Sequence, residues 1–82
     1  MLEQLIEEGI RLESKTTRNQ FGGNYFKGVE FEEWIAKVIR FLEEDEKDSA
    51  VTKRVIDRFM NMNQNNNFEV YQMALGALKS LS

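Results

Sequence analysis

The stretch from Val29 to Glu43 leaves this chain little choice of local structure. Phe31, Trp34, Ile35, Val38, Ile39, Phe41 and Leu42 recur at three- and four-residue intervals. At about 100° per residue they cover an arc of about 160°, the width of a core-facing helical stripe. Glu32, Glu33, Lys37, Arg40 and Glu43 take the other side. The spacing predicts a helix over 29–46. Glu30, Glu32 and Glu33 suit the positive end of its dipole, whereas Glu43 to Glu46 oppose the negative end and stop it there. Glu33 and Lys37 stand in the favourable i,i+4 order for an ion pair.

The rest of the chain follows the same period, and it contains no proline to interrupt it. Leu2, Leu5, Ile6, Gly9, Ile10 and Leu12 share a face of a first helix over 2–15, which fades into a loop after Ser14. Asp48 or Ser49 is placed to cap a third helix over 49–61, with Val51, Val55, Ile56, Phe59 and Met60 as its apolar face. Asn61 to Asn67 read as an exposed polar loop, and Asn66 or Asn67 as the cap of a fourth helix over 67–81. The expectation is all-α: a compact four-helix bundle forming a single domain over 1–82.

The fourth helix stands apart. Phe68, Val70, Tyr71, Met73, Ala74, Leu75, Ala77, Leu78 and Leu81 spread over about 220° of its circumference, which predicts burial on more than one side. Either the helix is central, or part of it meets another chain or domain.

Composition removes several classes of function. The 82 residues make one small core that buries about 60–65% of the unfolded surface. A net charge of −3 argues against a dedicated nucleic-acid or membrane-surface protein. Without cysteine there is no disulfide, thiolate or finger-type zinc chemistry, and without histidine the commonest general base and metal ligand are gone. No cofactor, metal or catalytic residue is expected. The acidic N-terminus does not read as a signal peptide, and no apolar run approaches the roughly 18 residues of a membrane span. The default location is the cytoplasm.

Three segments invite a chemical reading. Gly22, Gly23 and Gly28 lack the Gly-Lys-Ser/Thr ending of a phosphate loop, so they read as turn residues. Glu43 to Asp48 lack the glycine and ligand spacing of a calcium hand, so they read as a solvated helix end. Phe21, Tyr25 and Phe26 are interleaved with Lys15, Arg18 and Lys27, with no acidic residue between Ser14 and Gly28. Such a segment either plugs the end of the bundle or stacks on single-stranded nucleic acid. Arg54 and Arg58 form a second basic pair on the third helix, while Lys53 has Asp57 as an i,i+4 partner. Trp34 reads as core.

Leu5-Ile6 with Gly9, Tyr25 to Gly28, Phe31, Trp34, Phe41-Leu42, Asp48-Ser49 and Gly76-Ala77-Leu78 with Leu81 form a pattern over nearly the whole chain. It resembles the small N-terminal helical module of bacterial abortive-infection and prophage-defence proteins. The resemblance implies a four-helix accessory domain without catalytic residues, usually followed by a separate effector. The chain is then an N-terminal module of a longer protein or a stand-alone version.

The functional expectation is a non-enzymatic protein-interaction or oligomerisation module. Its partner surface is expected at Phe21, Tyr25, Phe26, Tyr71, Leu75 and Leu78. The alternative is a nucleic-acid-binding accessory domain using Lys15, Arg18, Lys27, Arg54 and Arg58, which requires the two basic segments to share one face.

Overall fold

In the computed structural model, residues 1–82 are described apart from Asn19. Four helices dominate: α1 (Leu2–Leu12), α2 (Val29–Asp45), α3 (Ala50–Met60) and α4 (Asn67–Ser80). A single 3₁₀ turn, Glu13–Lys15, tightens the end of α1. The all-α bundle expected from the periodicity is the fold of the chain. It also carries a two-stranded antiparallel hairpin, β1 (Thr17–Arg18) and β2 (Asn24–Tyr25), which periodicity over two residues could not announce. No helix among the described residues is long and apolar enough to cross a membrane.

The helix ends follow local chemistry. Ser49 caps α3, its Oγ accepting from the Val51 N–H at 3.1 Å. α2 starts at Gly28 without a side-chain cap and ends where the acidic run opposes its dipole. At the start of α4, Asn66 occupies the cap position but makes no side-chain cap bond. Its carboxamide instead ties the loop together, accepting from the Asn63 N–H and donating to the Asn61 carbonyl. Asn63 in turn accepts from the Asn65 and Asn66 N–H groups. The asparagine stretch is thus a hydrogen-bonded loop, organised by side chains that mimic backbone turns.

The core is drawn from all four helices, with α4 in the middle. α4 packs on α1, α2, α3 and β2, and Val70, Tyr71, Ala74, Leu75, Ala77 and Leu78 are buried. Most of its wide apolar circumference is covered inside the chain, with Phe68 and Met73 half-buried and Leu81 exposed. On α2, Phe31, Trp34, Ile35, Val38 and Leu42 are buried, with Ile39 and Phe41 at the margin. On α3 the buried line is Thr52 and Val55, with Ile56 and Phe59 half-buried. Val51 and Met60 are exposed, so the inward face is rotated from the one the sequence suggested.

Two aromatic side chains fasten α1. Trp34 Nε1 donates to the Leu5 carbonyl at 2.8 Å and the Tyr71 hydroxyl donates to the Gly9 carbonyl at 2.7 Å. The last turn of α1 is 3₁₀-like, its cap N–H groups reaching the Ile10 and Arg11 carbonyls. A buried carbonyl at Gly9 gains its partner from α4. Gly9 is also the point of closest approach: a Cβ there would lie 2.7 Å from Trp34 Cζ2 and 3.0 Å from Leu75 Cδ1. Its place in the apolar stripe therefore has a steric cause.

Electrostatics contribute little to the frame. Lys37 reaches across to Glu8 of α1 at 3.6 Å, the only ion pair within 4.0 Å among the described residues. The expected helical pairs Glu33–Lys37 and Lys53–Asp57 are therefore not formed. Exposed pairs of that kind are worth only about 0–1 kcal/mol, too little to dictate side-chain placement.

Candidate functional site

The expected partner residues fall into two groups, separated by burial. Tyr71, Leu75 and Leu78 are 3%, 8% and 0% exposed. They belong to the core, and of the three Tyr71 and Leu75 also border an open surface recess of about 320 Å³ with Glu13, Phe68, Gln72, Gly76 and Lys79. Their burial follows from the packing of α4 on the other three helices and on β2. Phe26, at 5% exposure, joins them. Its ring stacks on Phe31 with centroids 4.6 Å apart, meets Tyr71 edge-on at 5.0 Å and lies 6.0 Å from Phe68. This aromatic cluster closes one end of the bundle, the plug anticipated for the loop.

Asn67 sets the plug in place. Its Oδ1 accepts from the Phe26 N–H and its Nδ2 donates to the Phe26 carbonyl, both at 2.9 Å, with Asn67 itself 4% exposed. The carboxamide acts as one more strand residue beside β2, satisfying a buried backbone pair that would otherwise be costly. No sequence signal marks this role, because the partners are 41 residues apart.

Phe21 and Tyr25 behave differently. Tyr25 faces Thr17 across the hairpin and is less buried than Phe26, the next residue. Tyr25 is half-buried and Phe21, at the hairpin turn, is 86% exposed. The turn uses Gly22 at φ +88°, the only positive-φ glycine among the described residues. Together with Arg18 and Gln20, these two rings form one wall of an open cleft of about 430 Å³, whose other wall is Gln64 and Asn65 of the asparagine loop. The described residues lining it comprise two aromatics, three carboxamides and one cation. None is acidic.

The five cations of the nucleic-acid reading do not line one common recess. Arg18 lines the hairpin cleft. Lys15 lines a groove of about 220 Å³ between α1 and α2, where Glu8, Glu30 and Glu33 face Arg11, Lys15 and Lys37 over a floor of Leu12 and Trp34. Arg58 lies in a small recess of about 70 Å³ with Glu69. Lys27 and Arg54 are exposed and line none of these recesses. The α1–α2 groove balances its own charges, with the Glu8–Lys37 pair at its wall. Of the three of these cations that line a recess, Arg18 is the one with no carboxylate among the described lining residues.

Ionisable chemistry is sparse. The Tyr71 phenol is raised above its ordinary value, first by burial and second by the nearby Glu13 carboxylate. Its hydroxyl is engaged with the Gly9 carbonyl. No group of three Asp or Glu side chains gathers in a geometry that could hold a metal ion among the described residues.

Comparison of the chain with protein-family models, with curated proteins and with solved structures finds no match.

Proposed function

We propose that this chain is a non-enzymatic helical interaction module, and that it engages a partner protein through the hairpin end of the bundle. The observation that carries the reading is the exposed Phe21 beside half-buried Tyr25, Arg18 and the carboxamides of Gln20, Gln64 and Asn65. Aromatic rings give contact area at low entropic cost, arginine supplies directional bonds and carboxamides adapt to either donor or acceptor. A rigid frame supports this surface, because the neighbouring Phe26 is clamped by Asn67. Phe21 is the most exposed of the large apolar side chains described. An accessory role beside a larger bacterial defence or prophage effector is part of the same proposal, and it rests on the resemblance described above.

Site-specific photo-crosslinking tests this reading. A benzoyl-phenylalanine in place of Phe21, in cells that naturally express the protein, should yield a discrete protein adduct. The same group at Ala36, exposed on α2, should not. Equal adduct patterns from both positions, or none from position 21, would show that the hairpin end is not a contact surface. An adduct removed by nuclease would assign the surface to nucleic acid instead.

A further inference from the structure

Resting on that reading, we propose that the hairpin cleft takes a protein segment presenting a carboxylate side chain next to an aromatic or apolar one. Charge is the first argument. From Ser14 to Val29 the chain carries Lys15, Arg18 and Lys27 and no acidic residue, within a protein of net charge −3. Of these three cations Arg18 is the one that lines the hairpin cleft, whereas Lys15 lies in the charge-balanced α1–α2 groove. Inside the cleft Arg18 is the one charged residue among the described lining. A guanidinium with no lining carboxylate selects an anion, and its planar fork matches a carboxylate in two-point contact.

The remaining walls define what accompanies the anion. Phe21 and Tyr25 offer ring surface to an aromatic or aliphatic side chain. Gln20, Gln64 and Asn65 each carry a donor and an acceptor, which suits the alternating N–H and C=O groups of an extended backbone. The volume of about 430 Å³ lies within the range of pockets that take a small ligand, so it accommodates a short segment rather than a folded face.

Two other occupants fit less well. A second copy docking the same face would bring Arg18 towards Arg18 with no lining carboxylate between them, a like-charge contact that interfaces avoid. Nucleic acid draws its affinity from several phosphates contacted together, and here Lys15 and Arg58 lie in separate recesses beside glutamates.

The test uses defined probes and the full chain. Isotope-labelled protein is titrated with N-acetyl-Asp-Phe-amide, with its Asn-Phe counterpart and with octauridylate, and followed by NMR at Arg18, Gln20, Tyr25, Gln64 and Asn65. The aspartyl peptide should shift these signals and bind about two- to fivefold more tightly than the asparaginyl one, the range for one solvent-exposed ion pair. Arg18→Gln should abolish the difference while leaving the spectrum of the core unchanged. Equal binding of the two peptides, or no shifts up to ~10 mM, the range of weak fragment binding, overturns the proposal. So does tighter, steeply salt-dependent binding of octauridylate at the same signals. A protein adduct from position 21 combined with equal peptide affinities would retain the interaction module and remove only the carboxylate selection.

Discussion

Tyr25 and Phe26 are neighbours in sequence, yet they belong to different parts of the molecule. Phe26 is locked into the aromatic cluster, with both of its backbone polar groups held by Asn67. Tyr25 lines an open cleft together with Phe21 and Arg18. The asparagines divide in the same way: Asn67 is buried and paired, whereas Asn65 lines the cleft. Residue type alone therefore does not separate structural from interacting positions in this chain. What separates them is their surroundings: Phe26 packs on Phe31, Phe68 and Tyr71 and is held by Asn67, whereas Tyr25 stays half-buried on the hairpin.

The largest expected contrast is between the two phenylalanines of the hairpin. Phe26→Ala should lower the unfolding free energy by about 3–5 kcal/mol, the range for deleting a well-packed core ring. Phe21→Ala should change it by less than about 0.5 kcal/mol, as surface substitutions do. Chemical denaturation of both variants measures the pair. Comparable losses would mean that the exposed ring is part of the fold and would erase the distinction.

Asn67→Ala comes next. It strands a buried N–H and a buried carbonyl on Phe26, a loss of about 2–4 kcal/mol. Asn65→Ala should cost less than about 0.5 kcal/mol. Hydrogen exchange at the Phe26 amide reports the mechanism: it should quicken in the first variant and not in the second.

Two glycines sharpen the contrast between core and surface on helices. Gly9→Ala should destabilise by about 1–3 kcal/mol, because the added methyl collides with Trp34 and Leu75. Gly76 is exposed within α4 and a Cβ there meets nothing within 4 Å, so Gly76→Ala should stabilise by up to about 1 kcal/mol. Thermal unfolding should shift in opposite directions for the two.

The smallest effect is a pH dependence. The folded Tyr71 phenol holds its proton more tightly than in the unfolded chain, because ionisation would place a charge in the core near Glu13. Its contribution to stability is complete below about pH 10 and is lost as pH rises through the raised folded value. Tyr71→Phe should cost about 1 kcal/mol at neutral pH for the lost hydrogen bond and should flatten the decline above about pH 10. An unchanged decline in that variant would assign the alkaline instability elsewhere.

Much of the frame was legible in the sequence, and the reason is periodicity. The stripe on α2, the Ser49 cap and the acidic stop after Glu43 are local signals, and the helices lie within a few residues of the expected bounds. The apolar breadth of α4 was legible too, but not its meaning: a helix with that pattern is either central or shared, and only packing on three other helices and β2 decides it. The α3 face was misplaced because Thr52 points inward, where its polar type argued for solvent. The site was harder to read. Phe21, Tyr25 and Phe26 are one aromatic run in sequence, and their separation depends on a hairpin of two residues per strand and on an asparagine 41 residues away. Arg18 was visible as a cation, but not that it would be the one without a lining carboxylate.

The double variant Arg18→Gln, Phe21→Ala tests the division of labour most directly. Its unfolding free energy, measured beside the wild type, should agree within about 0.5 kcal/mol, while the aspartyl-peptide shifts at Gln64 and Asn65 disappear. A loss of about 2 kcal/mol or more would show that the cleft wall belongs to the fold, and shifts that persist in the variant would show that the partner surface lies elsewhere.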